Sequence, residues 1–214
     1  MIRVYAAADL HGKKERIERL KNNLSILKPD ILVLAGDISN IFHARQTLAT
    51  LNSLALPVLL VRGNSDLKQV ESLCRSYVHC HSLQAVGHTL HDIPFVGLGG
   101  TWPLPFHSRI ALNENAHIKK IAALINHQTV LVTHTPPRGA QDLVMGRFHA
   151  GSRGLRRLIK KCHPNLLICG HIHEDSGTTL IGRTQVVNCA FNRRGSGALI
   201  LFQDGCLVDL KMLP

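Results

Sequence analysis

Ile31-Leu32-Val33-Leu34-Ala35-Gly36-Asp37 decides how the rest of the chain is read. An unbroken apolar run rich in branched side chains, with no polar alternation, suits a strand buried on both faces, as in a parallel sheet covered by helices. Gly36-Asp37 ends the run. Upstream, Ile2 to Ala8 has the same character and meets Asp9-Leu10-His11-Gly12; downstream, Val58 to Val61 meets Arg62-Gly63-Asn64-Ser65-Asp66. Helical periods separate the runs: Ile17, Leu20, Leu24 and Leu27, stopped by Pro29-Asp30, then Ile41, Ala44, Leu48, Leu51 and Leu54. Strand–helix–strand repetition predicts right-handed crossovers and a largely parallel sheet.

Further along, Ile93 to Leu98 reads as a strand and Ile110 to Ile125 as a helix. Thr129 to Thr133 is a strand that Pro136-Pro137 forbids from continuing. Ser152 is placed to N-cap a helix carrying Leu155, Leu158, Ile159 and Cys162, and Leu166 to Cys169 is a strand ending in Gly170-His171. The rhythm then changes. Thr178 to Ile181, Thr184 to Asn188, Ala198 to Phe202 and Cys206 to Leu210 read as strands joined by Gly-Arg, Asn-Arg-Arg-Gly and Asp-Gly, all hairpin-type connections. The expected fold class is α/β with an antiparallel C-terminal part, and 214 residues suit one domain, 1–214.

Hydrophobic residues make up 45% of the chain, enough for a sizeable core, which excludes wholesale disorder. Aromatics are only 4%, so the core is built from Leu, Ile, Val and Ala, and stacking on single-stranded bases is disfavoured. Lys and Arg number 25 against 14 acids, a formal charge of +11, and His also number 14. The six cysteines form no CxxC pair and read as reduced thiols. With no signal-like segment and no membrane-length apolar run, the expectation is a cytoplasmic protein without a membrane partner.

Groups with metal-ligand chemistry fall at strand ends: Asp9 and His11, Asp37, Asn64, His134, then His171 and His173. In open α/β sheets, sites form outside the carboxyl ends of the strands. A lone Gly-Asp is usually a turn and a lone His a loop residue; coincidence at five strand ends is improbable. If strand geometry persisted, Asp9 and His11 would share a face, as would His171 and His173.

The set Asp9-x-His11, Gly36-Asp37, Gly63-Asn64, His134 and Gly170-His171-x-His173 resembles the calcineurin-like metallophosphoesterase superfamily, in the family's order from residue 9 to residue 173. Thr133-His134-Thr135-Pro136-Pro137, His149-Ala150-Gly151-Ser152 and Gly170-His171-Ile172-His173-Glu174 are similar to the branch of predicted phosphoesterases related to the Icc protein. The resemblance implies a four-layer α/β/β/α sandwich of two mixed sheets flanked by helices. It also implies two divalent transition-metal ions. Asp9, His11, Asp37 and His173 would hold the first; Asp37, Asn64, His134 and His171 would hold the second, with Asp37 bridging. Imidazole and carboxylate without thiolate suit Mn, the leading expectation, or Fe, Ni or Zn, better than Ca or Mg. The implied reaction is hydrolysis of a small anionic phosphodiester, cyclic nucleotides among the candidates, or of a phosphomonoester, by hydroxide formed from a metal-bound water. Asn64, Asp66 and His134 are the residues assigned to catalysis.

Two departures stand out. Relatives usually carry Gly-Asn-His before an acid, and that His is thought to assist the leaving group. Here Ser65 takes its place while Asp66 remains, so weak turnover of poor leaving groups is expected unless His43, His107 or His149 enters the site. Asn188-Cys189-Ala190 stands where relatives often carry Asn-Pro-Gly, and Arg193-Arg194 follow, most simply as an exposed hairpin pair. Arg153, Arg156, Arg157, Lys160 and Lys161 form a basic helical stripe, read first as a solvated face. A nuclease using that surface, or a non-catalytic scaffold, are the competing readings; a positive balance steers any anion and does not select nucleic acid.

Overall fold

A computed structural model describes residues 1–40, 43–100 and 114–214. The first half alternates β1 (Ile2–Ala7), α1 (Lys14–Leu27), β2 (Ile31–Ala35), α2 (Ala44–Asn52), β3 (Val58–Val61), α3 (Gln69–Cys74) and β4 (Cys80–Ser82). Then come β5 (Gly87–Leu90), β6 (Ile93–Leu98), α4 (Glu114–Ala122), β7 (Val130–Thr133), a small hairpin of β8 (Leu143–Val144) and β9 (Phe148–His149), α5 (Arg153–Cys162) and β10 (Leu166–Cys169). A 3-10 turn at His173–Asp175 leads to β11 (Gly177–Ile181), β12 (Thr184–Asn188), β13 (Ala198–Gln203) and β14 (Cys206–Met212).

Two six-stranded sheets result, in the orders β14-β13-β1-β2-β3-β4 and β11-β12-β10-β7-β6-β5. Each is parallel at its centre and antiparallel at an edge. Both mixed sheets and the flanking helices agree with the expected α/β sandwich.

Alternation along the strands builds the layers. Val4, Ala6, Ile31, Val33 and Leu59 face Phe95, Val130, Val132 and Ile168 across the gap between the sheets. The intervening residues Tyr5, Ala7, Leu32, Leu34, Val58 and Leu60 pack against Leu20 and Leu24 of α1 and Leu48 and Leu51 of α2. On the other side, Val96, Leu131 and Leu167 meet Ile121 of α4 and Leu155, Leu158 and Ile159 of α5. A strand buried on both faces has no polar face to show, which is why these segments read as continuous apolar runs. At roughly 25 cal/mol per Å² of apolar surface, each fully buried Leu or Ile contributes about 1.5–3 kcal/mol.

Several local readings hold. Ser152 caps α5, its Oγ accepting the Leu155 amide at 2.9 Å. Lys28, in the left-handed region at φ 44°, closes α1. Others need correction. The Asn192–Gly195 connection is not a hairpin: it carries the chain from β12 in one sheet to β13 in the other, where β13 pairs with β1. Turn residues alone cannot tell a hairpin from a crossing between sheets, since both need the same bend. The helix expected over 110–125 is described only from Glu114 and ends at Ala122; residues 110–113, like Ile41, lie outside the described residues. All six thiols are unpaired. Among the described residues no helix is long and apolar enough to cross a membrane.

Candidate metal centre

The loops after β1, β2 and β3 of one sheet meet those after β7 and β10 of the other. Backbone bonds fasten the junction: the Ala8 amide donates to the Cys189 carbonyl at 3.2 Å, and the Phe191 amide to the Ala8 carbonyl at 3.0 Å, while Asp9 to Gly36 and Gly170 to His134, each at 3.0 Å, tie neighbouring loops within each sheet. Strand geometry does not persist into these loops. Asp9, His11, Asp37 and His171 take left-handed φ values of 61°, 52°, 50° and 74°. The expected face-sharing of Asp9 with His11, and of His171 with His173, is therefore replaced by turns that gather the side chains. Non-glycine residues held at positive φ store strain, which clusters at functional sites.

Close approach explains two glycines. A Cβ at Gly63 would collide with the Asp37 carboxylate and amide, and one at Gly36 would lie 2.5 Å from His134 Nδ1. The Gly36-Asp37 and Gly63-Asn64 pairs thus combine a donor group with a neighbour small enough to let another loop in.

Asp9 is at the middle of the arrangement. Its Oδ1 lies 3.2 Å from His173 Nε2 and 3.9 Å from His11 Nε2, and its Oδ2 accepts the His171 amide at 2.9 Å. Asp37 Oδ2 lies 3.7 Å from His11 Nδ1 and 3.6 Å from His134 Nε2, between the two expected ligand sets. Two groups have donor atoms close enough to share an ion: Asp9, His11 and His173, and Asp9, Asp37 and His134. His171 joins through its ring, whose centroid is 4.9 Å from that of His134. Asn64 Oδ1 is 2.9 Å from His134 Nε2, and His134 Nδ1 meets the Ala35 carbonyl at 2.9 Å.

The donor set suits a cation. Asp9 Oδ1 is buried and makes no hydrogen bond among the described residues; its near neighbour is His173 Nε2, an ion-pair partner at 3.2 Å when the imidazole is protonated. An orphaned buried carboxylate oxygen is costly unless a positive charge offsets it. Burial pushes the Asp9 carboxyl up, but His173, His134 and the His171 amide outweigh it and hold it below its ordinary value. Burial pushes His171 down to about 4, and neighbouring His134 adds to that, so its imidazole is neutral near pH 7 with a free lone pair. His11 is likewise lowered by burial, against the pull of Asp37 and Asp9. The Asp9 carboxylate raises His173.

Asp66 takes a different place. Its two oxygens accept the Ile38, Ser39 and Gly63 amides at 3.1, 2.9 and 3.0 Å and the Ser39 hydroxyl at 3.1 Å. It is a buried clamp tying the loop after β2 to the loop after β3. Ser65 is more than a missing imidazole: its amide and hydroxyl donate to the two Asp37 oxygens at 2.7 and 3.0 Å. Of the substitute acids, His43 pairs with Asn40 at 2.7 Å and His149 with Asp142 at 2.7 Å, while His107 lies outside the described residues.

Sequence reasoning missed three supports. Arg16 donates to the Asp9 carbonyl. Asn188 Nδ2 donates to the Ile172 and Asp175 carbonyls at 2.8 and 3.1 Å, bracketing the His173 turn. Asn192 Nδ2 donates to the His173 carbonyl at 2.9 Å. Asn188 had a legible signal, as one more polar group at a strand end; Arg16 had none among the other charges of α1. In the basic stripe, Arg156 turns inward to the Arg138 carbonyl at 2.6 Å, while Arg153, Arg157, Lys160 and Lys161 are exposed.

Known proteins share this frame. An uncharacterised protein of Methanocaldococcus jannaschii is 29% identical over 196 residues, covering 87% of each chain. A UPF0046 protein of Caenorhabditis elegans is 34% identical over 200 residues, covering 82% of this chain and 67% of its own. Among solved structures, TT1561 of Thermus thermophilus superposes with a TM-score of 0.73 at 15% identity, covering 99% and 98% of the two chains. A dimetal phosphatase from Danio rerio superposes with a TM-score of 0.66 at 10% identity, covering 95% and 93%. The profile of the calcineurin-like phosphoesterases matches residues 2–175, a span that contains every strand-end residue from Asp9 to His173. With that match the chain belongs to the calcineurin-like phosphoesterase family.

Proposed function

We propose that the chain, acting as one domain over 1–214, is a metal-dependent phosphoesterase that hydrolyses a small phosphodiester or phosphomonoester. The observation that carries this is the convergence of Asp9, His11 and His173, and of Asp9, Asp37 and His134, on a buried Asp9 Oδ1 that makes no hydrogen bond among the described residues. Asp9, His11, Asp37 and His173 would hold one divalent ion and Asp37, Asn64, His134 and His171 a second, with Mn the first choice for these ligands. Bound there, such ions supply positive charge to a phosphoryl group and lower the pKa of water. A two-ion reading is in keeping with the name of the dimetal phosphatase that shares the fold.

The chain's own residues prepare this. Neutral His171 presents a lone pair. Ser65 fixes both Asp37 oxygens through its amide and hydroxyl. Asp66 holds the two loops that carry Asp37 and Asn64 at a fixed separation. No hydroxyl at position 65 can deliver a proton near neutral pH as an imidazole does, so the reading favours esters with good leaving groups.

The test is a panel of aryl monoesters, aryl diesters and cyclic nucleotides with Mn, run on the parent and on Asp37→Asn beside metal analysis. Partners behind metal ligands are worth about 10–100-fold, so losing a ligand should cost more than about 10²-fold. Equal rates for the two proteins would remove Asp37 from the centre. Less than one ion per chain with no turnover would leave a non-catalytic scaffold.

A further inference from the structure

A groove of about 790 Å³ opens beside His173, large enough for a ligand of substantial size. Its walls include Arg16, Arg193 and Arg194 together with Met212, Leu213 and Pro214. Among the described residues that line it, Glu174 is the one acidic side chain, and its Oε1 already accepts the Met145 amide at 2.9 Å. Arg193 and Arg194 are exposed, and their guanidinium groups have no hydrogen-bond or ion-pair partner among the described residues. The loop that carries them is nonetheless fixed. Asn192 Oδ1 accepts the Arg194 and Gly195 amides at 2.8 and 2.6 Å, while its Nδ2 donates to the His173 carbonyl and to Ser176 Oγ. One asparagine therefore ties the arginine pair to the turn that carries a candidate ligand.

We infer that this groove is a second anion subsite, and that the preferred substrate is a phosphate ester whose remaining part carries another phosphate on an organic body. The inference rests on the phosphoesterase reading of the neighbouring centre. A phosphoryl group held beside His173 leaves the rest of the molecule to occupy the groove. Guanidinium forks match phosphate oxygens in a bidentate geometry, and the Met212–Pro214 wall covers the body that links the two phosphates. A short uncharged alcohol would leave both guanidiniums unused.

The test compares adenosine 3′,5′-bisphosphate with adenosine 3′-monophosphate, which differ only in the second phosphate, on the Mn-loaded parent and on Arg193→Gln/Arg194→Gln. The parent is expected to prefer the bisphosphate in kcat/KM by about tenfold or more, and the double variant to lose that preference. The same ratio is read from dissociation constants by equilibrium dialysis. If no substrate turns over but the bisphosphate still binds more tightly to the parent alone, the phosphoesterase reading fails and the subsite stands. A parent without preference, or a double variant that keeps it, overturns the subsite. The single variants Arg193→Gln and Arg194→Gln read the same ratio should the double variant fold poorly.

Discussion

On the proposed function, Ser65 would bear on both metal binding and leaving-group chemistry. Its hydroxyl bond to Asp37 Oδ2 orients the carboxylate placed between the two candidate ligand sets. Ser65→Ala should therefore weaken Mn binding by about 10–100-fold, the usual cost of removing a partner behind a ligand, as measured by metal titration. Ser65→His should do the opposite for difficult substrates. It introduces a proton donor worth about 10²–10⁴-fold in principle, less whatever the lost Asp37 bond costs. The gain is expected on alkyl diesters and not on aryl diesters; equal gains on both would show that leaving-group protonation is not the missing step. His171 gives a pH prediction. Its folded value of about 4 lies below the ordinary 6.5 because burial disfavours the charge. Above 6.5 neither folded nor unfolded state holds the proton. As pH falls towards 4, the unfolded chain takes up a proton that the folded protein refuses, so metal-free stability is lost across that window. His171→Asn should flatten the slope in urea unfolding between pH 6.5 and 4.5. His173, raised by Asp9, acts with the opposite sign and stays constant in the comparison.

At the scale of elements, the positions of His171 and His173 depend on what surrounds the 3-10 turn after β10. Asn188, fully buried at the end of β12, binds that turn from one side, and Leu143 of the β8–β9 hairpin donates to Asp175 Oδ2 at 2.7 Å from the other. Asn188→Ala would leave the Ile172 and Asp175 carbonyls without this donor and the Ala190 amide without its acceptor. A cost of about 1–3 kcal/mol in urea unfolding is expected, together with weaker metal binding. Ser152→Ala offers the contrast. It removes the cap of α5 and should cost about 1 kcal/mol while leaving metal affinity alone, because α5 packs on the sheet behind the centre. If both variants lowered metal affinity equally, the turn would not be the element through which Asn188 acts.

For the whole molecule, the candidate centre joins two sheets. Asp9, His11, Asp37 and Asn64 come from one, and His134, His171 and His173 from the other. An ion bound across that junction binds the folded state alone, so it must raise stability by mass action. Free Mn at 100 times its Kd should contribute about 2.7 kcal/mol. For a chain of this size that is roughly 5–10 °C in Tm. Scanning calorimetry with Mn, and again after chelation, measures it. A shift of the same size in Asp37→Asn would place the ion elsewhere.

Much of this was legible in the residues. The apolar runs at β1, β2, β3, β7 and β10 reveal themselves because both faces of each strand are buried, and the polar groups after them stand out against those runs. The short strands β4 and β5, the β8–β9 hairpin and α3 were not legible, since a few residues carry too little periodicity to set them apart from loops. Which sheet each strand joins was also hidden. β12 lies parallel to β10 while β13 crosses to pair with β1, and that choice depends on apolar packing between residues far apart in sequence. The sequence by itself determined the α/β class, the order of the strands along the chain and the residue types at their ends, because hydrophobic periodicity and donor chemistry are local properties. Only the tertiary structure decided that Asp66 is a clamp, that Ser65 holds Asp37, that four of the candidate ligands sit in left-handed turns and that the arginine pair lines a groove. Those facts depend on which backbone amides and loops come within about 3 Å of each other, and distances of that kind are set when the two sheets close on one core.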